Sequence, residues 1–181
     1  MNMFLYKTIC LCVFIFSAIN ISFAQLDEWK IDHGKATRER SFSLEGRSST
    51  DVYKEIQRWL IKYYKDPEEI IKARIDGEYL RGVGYHADFL KSREFSQADL
   101  QYTFTVELTQ QEVVFKIADI LLVHDAWQDV GAAYRLEDFF EQAKKKRKNP
   151  EAERVITELT NFSNSLFQSF ESVVFTSLTK L

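Results

Sequence analysis

QYTFTVELTQQEVVFKIADILLVH, residues 101–124, is the most regular pattern in the chain, and its reading decides the fold class. Tyr102, Phe104, Val106 and Leu108 alternate with Thr103, Thr105, Glu107 and Thr109. A period of two built from aromatic and β-branched residues predicts a half-buried strand. Such strands belong to antiparallel sheets with one dry face and one wetter face. Gln110 and Gln111 break the run, and Glu112 to Val123 forms a second, longer one. Val113, Phe115 and Ile117 keep the inward phase, but Asp119 then falls on it while Ile120 and Leu122 do not. One extra residue flips every later side chain, so a bulge near Ala118 is expected to restore the phase.

Upstream, residues 69–75 read as a strand with Ile71, Ala73 and Ile75 inward, and Asp76-Gly77 is a hairpin turn signal. The return strand, 78–88, carries Gly82-Val83-Gly84. A Gly-x-Gly pair that cradles phosphate opens a helix, and no helix follows here. The favoured reading places Leu80, Gly82, Gly84 and His86 on one face, the glycines letting another element come close. Before this hairpin, Val52, Ile56, Trp59, Leu60 and Tyr63 form a single helical stripe over 51–65. Ser48, Ser49 and Thr50 offer N-caps, Asp51 suits the first turn, and Asp66-Pro67 stops the helix. Residues 36–46 predict a first strand with Phe42 and Leu44 on one face, and 25–35 read as a poorly fixed arm.

Downstream, 91–98 reads as a charged loop and 125–135, with Trp127 and Gly131, as irregular. Leu136, Phe139 and Phe140 mark the dry side of a short helix over 136–143. After the basic run Lys144 to Lys148, Asn149-Pro150 restarts a helix with proline at its first position. Val155, Leu159, Phe162, Leu166, Phe170 and Val173 give that last helix its apolar stripe.

Residues 1–24 read as an export signal: Lys7, an apolar core over 9–16, and the small-x-small site Ser22-Phe23-Ala24. The apolar run is too short for a spanning helix. Cleavage at Gln25 removes Cys10 and Cys12, so the mature chain is expected to lack disulfides, thiol nucleophiles and cysteine metal sites. Both cysteines also lack the small preceding residue of a lipoprotein signal. Taking 24 from 181 residues leaves 157, enough for one domain with a real core. Taking Lys7 from 24 basic residues leaves 23 against 27 acidic ones, a balance that argues against general nucleic-acid binding.

The order strand, helix, two strands through Asp-Gly, two more strands, then helix resembles a bacterial family of exported domains of unknown function. The residues that carry the likeness are SFSLEGRSSTDVYKEIQRWL, the RGVGYHAD strand and the YTFTVEL…FKIADI hairpin, within residues 36–125. The resemblance implies a TATA-box-binding-protein-like fold, a curved antiparallel sheet with helices on one side, and export in Gram-negative bacteria. It implies no catalytic residues and no DNA binding, because function lives in sites rather than folds. The fold class expected is therefore α+β: four to five antiparallel strands, with the 51–65 helix and the long C-terminal helix on one face. The expected organisation is a signal segment at 1–24, the TBP-like domain at 36–125, and a helical extension at 136–181 packing on it.

Candidate chemistry is sparse. His33, His86 and His124 show no metal-ligand spacing. His86-x-Asp88 and His124-Asp125 place a base near a carboxylate, but neighbours on a strand point to opposite faces, which poses His124-Asp125 badly for a relay, and a structural or surface role is the favoured reading for each histidine. No serine sits in a G-x-S-x-G elbow, and no paired carboxylates stand out. The basic run at 144–148 offers contact with anionic glycan, lipid headgroups or nucleic acid, yet cations at a helix C-terminus already suit its dipole. The phenylalanine stripe of the last helix reads as core or an oligomer contact before a membrane helix.

No cofactor or metal is expected, and no integral membrane segment. The leading expectation is a non-enzymatic envelope protein, periplasmic or secreted, that binds a protein partner or small ligand. The wet sheet face supplies its candidate surface: Thr103, Thr105, Asp119 and Tyr85. The alternatives are a hydrolase with a carboxylate or histidine site, which needs a cleft at His86, His124 or Asp119 with a second acid nearby, and a structural subunit joined through the last helix.

Overall fold

The computed structural model of the chain describes residues 29–44, 46–91, 97–124, 133–145 and 149–176. The expected signal segment, Trp127, Gly131, Asp125 and positions 146–148 of the basic run lie outside the described residues. In chain order the strands are β1 (Lys30–Asp32), β2 (Lys35–Ser43), β3 (Ile71–Ile75), β4 (Tyr79–Leu90), β5 (Ala98–Leu108), β6 (Glu112–His124) and β7 (Ala133–Arg135). The helices are α1 (Ser49–Tyr63), α2 (Pro67–Ile70), α3 (Leu136–Lys144) and α4 (Pro150–Val174). All the strand pairs are antiparallel, in the order β1-β2-β6-β5-β4-β3, with β7 also on β6.

The expected hairpin is β5–β6, turned by Thr109, whose hydroxyl accepts the N–H groups of Gln111 and Glu112. Tyr102, Phe104 and Val106 are buried, as alternation requires. The bulge is there too. Gln101 pairs with Leu121 and Thr103 with Ala118, so β6 carries one residue more than β5 between these pairs. Asp119 takes φ +48° in this step. Val113, Phe115 and Ile117 are buried before it, and Ile120 and Leu122 after it.

The glycines of β4 are close-approach sites. A Cβ on Gly82 would stand within 3.0 Å of the Phe104 ring, and one on Gly84 within 3.0 Å of the Tyr102 ring. Gly77, at φ +82°, turns the β3–β4 hairpin, and the Glu78 N–H closes the loop on the Ile75 carbonyl at 3.0 Å.

Helix α1 is capped by Ser48, whose hydroxyl accepts the Asp51 N–H. Its stripe buries Val52, Ile56, Trp59 and Leu60. Trp59 is fully buried and lies 5.2 to 6.1 Å from the rings of Phe104, Phe115 and Phe170, joining α1, the sheet and α4. Helix α4 starts as expected, with the Asn149 side chain accepting the Glu151 and Ala152 N–H groups. Val155, Leu159, Leu166, Phe167 and Phe170 enter the same core, with Phe162 and Val173 packed at its margin. Leu136 and Phe139 of α3 are buried and Phe140 is half-buried.

Four expectations need correction. Among the described residues the sheet has seven strands, not four to five, because β1 and β7 are three-residue edges too short for any period to show. The described end of the supposed N-terminal arm is ordered: β1 pairs with β2, and Trp29 donates its indole N–H to the Thr160 hydroxyl at 2.9 Å. In β3, Ala73 and Ile75 are exposed rather than inward, since this edge strand irregularly pairs across a register shift and its first part is α2. Tyr63 is 37% exposed and Tyr64 takes its inner place. Helix α1 ends at Tyr63, and the extended Tyr64 turns its ring onto Phe104 and its hydroxyl to Tyr102 at 2.9 Å.

Candidate functional site

The three longer helices share one face of the sheet with the core, so the alternate residues of each strand form a second face. Cross-strand register sets its rows. Thr105 lies between Arg81 and Lys116, Thr103 between Val83 and Ala118, and Gln101 between Tyr85 and Leu121. Tyr85, Thr103, Thr105 and Asp119, read from sequence as a binding surface, therefore share this face on three neighbouring strands.

Their exposures differ. The Tyr85 ring is 60% exposed, and its hydroxyl donates to the Asp99 carboxylate, which also accepts the Asp88 N–H at 2.8 Å. Thr105 is half-buried. Thr103 is only 9% exposed, wetter in the alternation than in the fold, because its neighbours close over it. It hydrogen-bonds Asp119, which also holds Lys35 of β2 at 2.8 Å. The Lys35 hydrogen bond, working against partial burial and helped by the nearby charge of Arg81, keeps the Asp119 carboxyl below the usual range.

Asp119 also marks a gap in the sheet. Strand β2 pairs with β6 only as far as Ile117, and β7 takes up β6 only from Leu121. Between them opens a cleft of about 180 Å³ lined by Lys35, Asp119, Ile120, Leu121, Arg135 and Glu137. Two contacts bridge it: the Lys35–Asp119 pair, and the Ala36 N–H donated to the Glu137 carboxylate. The sequence showed only the phase break at Asp119. Lys35, Arg135 and Glu137 come from remote segments with no pattern that joins them.

Neither His33 nor His86 lines this cleft. His33 sits in the β1–β2 turn at φ +47°, and His86 is exposed, edge-on to Phe89 and Phe162. The side chain of His124, and with it the His124-Asp125 pair, lies outside the described residues. Among the described residues no three His, Cys, Asp or Glu side chains gather as a metal site, and no helix is long and apolar enough to cross a membrane.

Two solved structures share this architecture. One is a TBP-like protein from Parabacteroides distasonis ATCC 8503, with a TM-score of 0.64 at 14% identity, covering 80% of this chain and 96% of that one. The other is a DUF4468 family protein from Bacteroides ovatus ATCC 8483, with a TM-score of 0.65 at 16% identity, covering 81% of this chain and 90% of that one. No family model matches the chain, and no curated protein matches it. At these identities the likeness shows the fold: the chain has a TBP-like α+β fold.

Proposed function

We propose that the protein is an exported, non-enzymatic module of the cell envelope that binds a protein partner or small ligand on the second face of its sheet. The observation that carries this reading is the division of the molecule's surfaces. The apolar stripes of α1 and α4 are consumed in the core, whereas Tyr85, Thr105 and Asp119 present hydroxyls, a ring and a carboxylate on a face that no described helix covers. Export rests on the 1–24 segment. The test is capture of partners from cross-linked envelope by the tagged protein, compared with Tyr85→Ala combined with Thr105→Arg. Thr103 is left alone, because an arginine at a closed position would disturb the sheet. Loss of the captured partner with an unchanged circular dichroism spectrum supports the reading; undiminished capture removes the surface.

A hydrolytic reading keeps one observation in its favour, the cleft that sets Asp119 beside a second acid, Glu137. It ranks second because a general acid needs a raised pKa, whereas Asp119 is held down by Lys35 and Glu137 is occupied by the Ala36 N–H. A substrate screen in which activity appeared and vanished in Glu137→Gln would reverse the order. Association through the last helix loses its apolar surface, since Val155, Leu159, Leu166 and Phe170 lie inside the core.

A further inference from the structure

The gap between β2 and β7 has a charge pattern that a purely structural cleft does not need. Lys35 is matched by Asp119, and Glu137 holds a backbone N–H. Arg135 lines the same cleft, yet among the described residues no carboxylate stands within ion-pair distance of its guanidinium. Arg81, on the same sheet face two strands away, adds its charge toward Asp119 from outside the cleft. Lys35 and Arg135 thus face Asp119 and Glu137 across the cleft, and the Asp138 carboxylate accepts the Arg135 backbone N–H at 3.2 Å, leaving the guanidinium itself as the group without a partner among the described residues. Ile120, only 3% exposed, and Leu121 supply the apolar part of the lining. Asp119 stands at φ +48° in the bulge, which aims its carboxylate into the cleft beside Lys35.

We infer that this gap binds the carboxylate group of a ligand, with the Arg135 fork gripping both oxygens and Lys35 beside it. A planar guanidinium matches a carboxylate bidentately. A cleft of about 180 Å³ is smaller than the usual pocket for a whole drug-sized molecule, so it accepts a carboxylate with a short apolar substituent. Two sources supply that chemistry, a free small organic acid and the C-terminus of a peptide. The inference rests on reading this face as a binding surface and names the chemistry it takes at the Asp119 end.

The test is a titration of the ¹⁵N-labelled protein, followed by amide shifts, at constant ionic strength. The probes are sodium acetate, N-acetyl-Ala-Ala and the amide of the same dipeptide. Saturable shifts at Lys35, Asp119, Leu121 and Arg135 with acetate and the free acid, and none with the amide, are expected. Arg135→Gln weakens binding by about tenfold or more, as expected for removal of a charged bidentate partner. Asp119→Asn tightens it severalfold, because it removes the competing carboxylate and frees Lys35. Tighter binding of the dipeptide than of acetate assigns a chain terminus, and the reverse a free acid. Shifts that do not saturate, that spread equally over Lys54, Lys62 and Lys65, or that survive Arg135→Gln overturn the proposal. Should Arg135→Gln lose its folded spectrum, the sign of the Asp119→Asn change decides. Failure of the sheet-face reading appears instead as partner capture surviving Tyr85→Ala with Thr105→Arg, so the two failures are distinguishable.

Discussion

Gly84 of β4 lies directly beneath the ring of Tyr102 on β5: a methyl group there would stand within 3.0 Å of the ring's Cζ, hydroxyl oxygen and Cε1. The Tyr102 hydroxyl is fixed from the other side by Tyr64 at 2.9 Å, so the ring has no room to retreat. Gly84→Ala is expected to cost about 1–3 kcal/mol, the range for an overpacked core. Urea unfolding measures it. Combining the change with Tyr102→Leu should recover part of the loss, since the two side chains compete for one volume.

Arg38 is 1% exposed and fastens β2 to α4, donating to the Thr160 carbonyl at 2.9 Å, the Asn164 side-chain oxygen at 2.8 Å, and the Ser163 hydroxyl. Its guanidinium also lies 5.8 Å from the Trp29 ring and 5.9 Å from the Phe167 ring. Arg38→Met strips these acceptors of a donor and should destabilise by about 1–3 kcal/mol. Arg38→Lys should not restore stability fully, because one ammonium cannot reproduce the fork. Thermal unfolding of the three proteins gives the comparison.

At Asp119, backbone and side chain make separable demands. Asp119→Val should cost about 1–2 kcal/mol, since a β-branched residue is poorly suited to the left-handed region. Asp119→Gly should be nearly neutral, losing an exposed ion pair to Lys35 that contributes at most about 1 kcal/mol. A denaturant series in which Gly and Val behaved alike would remove the backbone argument. The pair also has a pH sign. The folded carboxyl titrates below its ordinary value, so its contribution is present above that value and fades as pH falls through the lower, folded one.

Alkali should open the fold through its buried phenols. Burial pushes the hydroxyls of Tyr64 and Tyr102 up, so the folded state keeps protons that the unfolded chain releases near pH 10. Their contribution is complete below about pH 10 and declines as pH rises above it. Tyrosinate absorbance near 295 nm should show these two phenols ionising only together with loss of the tryptophan fluorescence of the native state. Ionisation of every tyrosine before any unfolding signal would contradict the buried pair.

The centre of the fold was legible because each of its residues speaks locally. Tyr102 to Leu108 alternate, Val113 to Leu122 slip phase once, and Ser48 to Leu60 carry a cap and a stripe; each pattern spans less than a dozen or so residues. The edges were not legible, because three-residue strands such as Lys30–Asp32 and Ala133–Arg135 have no period. Arg38 reads as a surface residue, since nothing nearby in sequence announces the acceptors that α4 brings from beyond position 159. The cleft was half legible. Its bulge left a phase error at Asp119, while Lys35, 84 residues away, and Arg135 arrive only through sheet order.

The contact between Trp59 and Phe170 sets a timetable for the newborn chain. A polypeptide made from its N-terminus displays α1 and the sheet long before α4 exists, and the ring cluster around Trp59 stays open to water until the last helix emerges. Strand β2 must likewise wait for β6, some seventy residues later, to find its partner. Contacts so distant along the chain make folding slow, because the entropy of closing large loops is spent before the contacts form. Shortening the chain just after β6 would therefore leave not a smaller stable domain but a sheet whose aromatic face is covered by α1 alone, prone to association with its neighbours.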